Sequence, residues 1–311
     1  SYGITGVQDA YVEVSRDTAY TNMEAYTAYA DQGKLKMHVV AAMLYDPTLP
    51  LDPQVDLFKK LRKSADRKYV KATAIKMLVD GVGSSYSAAL LEPYSDRIEE
   101  AVKGTPLISP NDLKSLVTRF DNLGFQMHFH SIGDGAIRYS LDAVETARYA
   151  NGERDSRHHI SHIEVWHPDD FSRVSELRVV ANFQALWAYK DKHYDKITLA
   201  RFGHDREQYS YPLNTLHKSG AKLAMGSDWY VSSANPLLAI EVALTRQSPE
   251  GEVSEPLVAS EAIDLATALE AATLGSAYGN FLDKQTGSIE VGKLADLIVF
   301  ARNLFKIPAS S

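Results

Sequence analysis

Short apolar, β-branched runs alternate along the chain with longer segments in which apolar residues recur every three to four positions. That alternation predicts repeated strand–helix units and a parallel sheet. Seven strand-like runs stand out, near Gly3–Gln8, Leu35–Met43, Lys71–Val79, Gly124–His130, His158–Ile163, Val179–Gln184 and Lys222–Ser227. Helical periodicity follows at Val55–Tyr69, at Asn111–Leu123 and at Gly135–Tyr149. Ser109 with Pro110 opens the second of these, and Asp134 is placed to cap the third. Pro236–Gln247 and an Ala/Leu-rich stretch from about Ser260 to Tyr278 read as two more helices. Beyond them, TGSIEVGKLADLIVF turns into two short extended runs around Gly292. The chain therefore divides into a strand–helix part over residues 1–285 and a small β element over 286–311. Seven units are one short of the common closed barrel, which has eight parallel strands.

Four of the strands carry a polar group where the pattern calls for an apolar one. Lys76 sits inside KATAIKMLVDG, His130 ends GFQMHFH, His162 ends HHISH and Asp228 ends KLAMGSD. In a parallel barrel the strand C-termini converge on one rim, so four such groups on four strands define a reactive centre. A lysine on the inner face is costly as an ammonium, and burial lowers its pKa toward neutrality. Two readings stay open for it: an ammonium paired with Asp80 or Asp228, or a neutral amine that has taken up carbon dioxide to form a metal-bridging carbamate. His128 and His130 share a face, and the strand end favours His130 as the ligand. By the same alternation His158 and His162 share a face and His159 points away, which again favours the strand-end histidine. His38, His167, His193, His204 and His217 read as surface, loop or supporting residues. The glycine-bearing segment Asp80–Ala88 lacks the spacing of a phosphate cradle and reads as a flexible rim loop.

Composition narrows the chemistry. A net charge of -7 with scattered basic residues leaves no face for nucleic acid. With no cysteine, disulfides and thiolate-rich zinc sites are excluded, so a metal must use imidazole, carboxylate or a modified lysine. No run approaches the roughly 20 apolar residues needed to cross a bilayer, so no membrane partner is expected. Lack of cysteine suits cytoplasm and periplasm alike, and the location stays open.

Taken together, GITGVQDA, IKMLVDGVGSSYSAALLEPYSD, HFHSIGDGAI, HHISHIEVWHPDDFSRV, MGSDWYVSSANPLLAIEVALTR, LEAATLGSAYG and GSIEVGKLADLIVF resemble the amidohydrolase superfamily. The likeness is to amidohydrolase family 3, the branch that includes N-substituted formamide deformylases. It implies a TIM-like (β/α) barrel of the metal-dependent hydrolase type, flanked by part of a small β-sandwich at 286–311. It implies a divalent metal, zinc foremost, held by Lys76 as a carboxylated lysine, by His130 and His162, and by Asp228. The implied reaction is hydrolysis of a carbon–nitrogen bond in a small amide-type molecule, with hydroxide generated at the metal and Asp228 shuttling the proton. Trp187, Tyr189, Trp229 and Tyr86 are candidates for an apolar substrate wall.

Departures from the family pattern carry their own expectations. The family's first strand ends in His-x-His, and no such strand precedes Ser1; the sequence therefore reads as a fragment lacking that strand. At most one metal, on Lys76, His130 and His162, is expected. The unpaired barrel edges near Gly3–Gln8 and Lys222–Ser227 predict association with further copies. The family's Glu-His at strand six is Ser161–His162 here. Two other classes remain: a catalytically incomplete or regulatory remnant, and a Schiff-base lyase or isomerase using Lys76.

Overall fold

A computed structural model describes residues 2–14, 21–192, 194–249, 251 and 254–309. Seven parallel strands lie in chain order in one sheet that curls into an incomplete TIM-like barrel. They are β1 (Gly6–Val12), β2 (His38–Leu44), β3 (Val70–Leu78), β4 (Gln126–Ser131), β5 (His159–His162), β6 (Val180–Phe183) and β7 (Lys222–Met225). The order β1 to β7 contains no pairing between its two ends, so a seam separates β1 from β7.

Alternation sorts each strand into two faces. Ile75 and Met77 on β3, Phe129 on β4, Ile160 on β5 and Phe183 on β6 are buried against the helical layer. That layer includes Pro110–Asn122, whose Leu113, Leu116, Val117 and Phe120 face inward, and Asp134–Asn151, which contributes Ile137, Leu141 and Val144. Ser109 caps the first of these, accepting from the Asp112 N–H at 3.2 Å, as the sequence implied. The helix expected at Val55–Tyr69 runs Leu51–Ser64, with Pro53 in the first turn, where its missing N–H has no intrahelical acceptor to lose.

The stretch from Ser260 to Tyr278 is not one helix. It breaks into Leu265–Glu270, a widened turn at Ala271–Gly275, and Ser276–Gly279. Close packing explains the break: a Cβ at Gly275 would lie 2.0 Å from the Leu223 carbonyl oxygen, so only glycine lets this segment lie flush on β7. Ser276 Oγ accepts from the Met225 N–H at 3.2 Å and lies 3.1 Å from the Met225 carbonyl. A few residues on, Asn280 accepts from Gln8 of β1 at 3.0 Å. Residues 275–282 thus cover the β7 edge and reach across the seam, correcting the expectation that this edge lies open.

Among the described residues, 286–309 contain no strand. The two runs around Gly292 form turns rather than a ladder, with the Leu294 N–H donating to the Gln285 carbonyl at 2.8 Å, and Ile289, Val291 and Val299 stand exposed. No helix is long and apolar enough to cross a membrane, among the residues described.

Candidate active site inside the barrel

Register fixes which side chains meet. Lys76, His128 and His159 are aligned on neighbouring strands, and one step toward the strand C-termini Leu78, His130, Ser161 and Asn182 form a second row. Lys76 is the hub. Its charge is felt by His128, His130, His159 and His162, and it draws on Asp228 in turn. Only 4% of Lys76 is exposed. Burial pushes its amine down from the ordinary 10.5 to about 8, with the Asp228 carboxylate pulling the other way.

Each histidine has a distinct place. The Nδ1 of His128 lies 2.5 Å from Gln8 Oε1 and its Nε2 lies 2.7 Å from Ser161 Oγ, which also accepts from Asn182 Nδ2 at 2.9 Å. A consistent reading has Ser161 donating to Nε2 while Nδ1–H donates to Gln8, so the ring is neutral and both nitrogens are taken. Both His128 nitrogens are thus engaged within the sheet. His130 Nε2 lies 3.2 Å from the Gly81 carbonyl, which can only accept, so the proton sits on Nε2 and Nδ1 remains open. Burial, reinforced by the Lys76 charge, holds this ring down at about 4.

The strand-five histidines overturn the simple alternation. His158 faces the helical layer, where its Nε2 meets Asp121 at 3.1 Å and its Nδ1 accepts from the Met127 N–H at 3.0 Å. His159 points into the barrel, its ring 4.3 Å edge-on from His128. By parity His162 should then face outward with His158. Instead its backbone adopts φ 80, followed by φ 44 at Ile163, and the left-handed turn brings its ring within 4.3 Å of His130. The His162 N–H is fixed by Gln184 Oε1 at 2.9 Å, and the ring stacks parallel on Trp187 at 5.4 Å. Its Nδ1 is buried without a hydrogen-bond partner among the described residues. Burial and the neighbouring His130 keep it neutral.

Asp228 lies just beyond β7 with φ 50, half-buried, its pKa raised by desolvation and countered by Lys76. Among the described residues no three of His, Cys, Asp or Glu form a metal-binding group. His130 and His162 are brought together, whereas Asp228 does not join them as a third ligand in this geometry.

Asp80 is the residue the pattern undervalued. Its carboxylate is buried and accepts from the N–H groups of Ala89, Ile132 and Gly133 at 2.9–3.0 Å, with Oδ1 lying 3.8 Å from His130 Nε2. Burial nevertheless lifts its pKa to about 7. The segment after β3 is thus anchored at its root rather than being a flexible rim loop. Asp134, expected as a cap, is instead the first residue of its helix, and its Oδ1 accepts from the Leu91 N–H at 2.9 Å. Gly133 is required here, since a Cβ would sit 2.1 Å from the Ala89 carbonyl oxygen. Glu164 was also missed: burial raises it to about 7, against a hydrogen bond from Tyr211. Tyr211 is in turn held by Arg246, whose buried guanidinium donates to the carbonyls of Ser210, Tyr211 and Leu257. A VDG at a strand end and a carboxylate two residues past a strand histidine were the available signals.

Of the aromatics, Trp187 reaches the cluster through His162. Tyr86 is engaged elsewhere, bonded to Asp96 at 2.6 Å with Arg201 stacked 4.1 Å over its ring, and Trp229 is 71% exposed. Tyr189 is partly buried against the core. His38, read as a surface, loop or supporting residue, is buried on β2 with Tyr69 edge-on at 4.9 Å, and His193 lies outside the described residues.

A parallel barrel with ionisable groups gathered inside its curl is an architecture on which many enzymes build their sites. The chain matches the Amidohydrolase family over residues 1–311 and belongs to that family. It is 31% identical over 306 residues to Protein LONG AFTER FAR-RED 3 of Arabidopsis thaliana, covering 97% of this chain and 51% of that protein. To the N-substituted formamide deformylase of Arthrobacter pascens it is 24% identical over 239 residues, 75% of this chain and 41% of the other. A solved uncharacterized metal-dependent hydrolase from Pyrococcus furiosus superposes with a TM-score of 0.76 at 25% identity, over 97% of this chain and 57% of that one. The chain spans about half the length of the curated relatives it matches.

Proposed function

We propose that this chain is the metal-binding barrel of a hydrolase that cleaves amide-type carbon–nitrogen bonds in small molecules. The observation that carries the reading is the unpartnered, buried Nδ1 of His162 beside His130, in a cluster whose imidazoles are held neutral. Neutral imidazole is the form that ligates metal. Lys76, His130, His162 and Asp228 are the residues that would hold a divalent ion, with zinc best matched to nitrogen and carboxylate donors in the absence of thiolates. Such an ion supplies Lewis acidity, polarising a carbonyl and easing loss of a proton from water.

The side chains do the rest. An amine at about 8 is neutral often enough to form a carbamate, which turns a repelling cation into an anionic ligand. Asp228, half-buried with a raised pKa, takes the proton of the attacking water and returns it to the departing nitrogen. Trp187 backs His162 and walls that side of the site. The relatives named as a deformylase and as a metal-dependent hydrolase support the reaction class.

Elemental analysis of the dialysed full chain tests the site. One divalent ion per chain is expected, lost in Lys76→Met, with the Lys76 carbamate seen by mass spectrometry in metal-loaded protein. Two tightly held ions, none, or unmodified Lys76 beside a bound ion would overturn it. Trapping of a substrate adduct on Lys76 by borohydride would favour the Schiff-base alternative.

A further inference from the structure

We propose that His159 is a positioning residue for Lys76, its Nε2 being the hydrogen-bonding group that fixes the lysine side chain inside the barrel. The functional meaning of this pairing rests on the metal-site reading above; that the two side chains share one row of the sheet stands on the register. Lys76 pairs with His128, and His128 with His159, so the three project from one row of the sheet into the curl. Two strand spacings separate the outer members, about 10 Å between their Cα atoms, and inward-pointing side chains of a curled sheet converge. A lysine and an imidazole together bridge that span.

His159 needs a partner. It is 4% exposed, and its Nε2 is buried with no hydrogen bond among the described residues. An unmet buried ring nitrogen is costly, so the native state has reason to satisfy it. Its nearest ring neighbour cannot do so, because His128 spends one nitrogen on Gln8 and the other on Ser161. His158 has turned to the opposite face toward Asp121. After burial itself, the influence His159 feels most is the Lys76 charge.

One atom serves either state of the lysine. With its proton on Nδ1, the imidazole accepts from the Lys76 amine through Nε2; with its proton on Nε2, it donates to a carbamate oxygen. The exchange is tautomeric and leaves His159 neutral. His159 thus steadies Lys76 from the sheet row, while His130, His162 and Asp228 lie toward the rim.

The test uses the full chain labelled with 15N-histidine, compared with Lys76→Met, a substitution that removes a buried charge at nearly constant volume. The His159 resonances are identified by their loss in His159→Gln. The expected result is that the Nε2 signal of His159 moves in Lys76→Met while that of His158 stays fixed. An unmoved His159 signal in the folded variant overturns the proposal. In a second arm, 13C-bicarbonate labels any carbamate on Lys76. His159→Leu is expected to lower that signal several-fold and His159→Gln, which keeps a polar terminus, to restore it; equal signals in wild type and the leucine variant overturn the proposal. If wild type shows neither carbamate nor metal, the hydrolase reading fails, and the nitrogen shift still decides the question for His159.

Discussion

The two faces of one sheet follow opposite rules. On the outer face Ile75, Met77, Phe129, Ile160 and Phe183 are buried against helices and carry no polar atom to satisfy. On the inner face, one residue away along the same strands, stand Lys76, His128, His130 and His159. Barrel interiors are ordinarily filled by bulky branched side chains. Here the inner rows sacrifice that packing for groups whose charge states burial has shifted. The outer face therefore carries apolar packing, the inner face ionisable groups, and strand alternation keeps the two apart.

Substitutions can break this division of labour. The largest expected effect is on the inner side: Asp228→Asn should leave the fold and metal content intact while kcat on an accepted amide falls by about 10²–10⁴-fold. A variant that keeps its metal and loses less than about tenfold removes Asp228 from proton transfer. On the outer side Phe129→Ala should cost about 3–5 kcal/mol in denaturant unfolding. Lys76→Met, one residue before Phe129's register partner Met77 and inward-facing, should be neutral or stabilising, because it deletes a buried charge. Comparable losses in both would abolish the distinction between the faces.

Acid sharpens it further. The unfolded chain protonates its histidines near 6.5, whereas burial holds His130 at about 4 and His159 at about 3. Groups with a depressed folded pKa contribute stability that is complete above the unfolded value. That contribution drains away as pH falls from 6.5 toward 4, at up to about 1.4 kcal/mol per pH unit for each imidazole. Asp80 and Glu164, raised to about 7, act in the opposite sense: their contribution is complete below the unfolded carboxylate range and lost as pH rises through 7. Asp134, Asp228 and Glu241 are raised in the same sense, while His38, His128, His158 and His162 join His130 and His159 in being held down by burial, so six imidazoles oppose five carboxyls. The unfolding midpoint should therefore drop between pH 6.5 and 4, with a shallower slope in His159→Gln. A midpoint flat across this window would mean that the imidazoles are not buried neutral. The smallest effect concerns the seam, where Ser276→Ala should cost about 1 kcal/mol and speed hydrogen exchange at the Met225 amide.

The apolar face was legible from sequence because it repeats: the period of two in the strands and the Ser109–Pro110 start signal survive into the structure with small shifts. The inner face was legible only where a polar residue interrupted that period, as at Lys76 and His130. His162 was chosen by strand parity, whereas a left-handed backbone, not parity, carries its ring to His130. No periodic pattern reports such a turn. Asp80 was read only as a possible partner for Lys76 and Glu164 was not singled out, because their character comes from what buries them, namely chain segments distant in sequence. The break at Ala271–Gly275 was hidden likewise, being imposed by contact with Leu223 rather than by helix propensity.

Gln8 gives the incomplete barrel an unusual mechanical character. A terminal strand is normally held by its single neighbour and peels away one hydrogen bond at a time. From β1, Gln8 reaches through the interior to His128 on β4, and its amide nitrogen also approaches Gln126 at 3.3 Å and Asn280 at 3.0 Å. A load applied at the β1 end is therefore shared at once by two distant parts of the molecule, β4 and the segment at Asn280. Tension along that strand would meet one cooperative rupture in place of gradual unzipping, with the histidine core giving way in the same event.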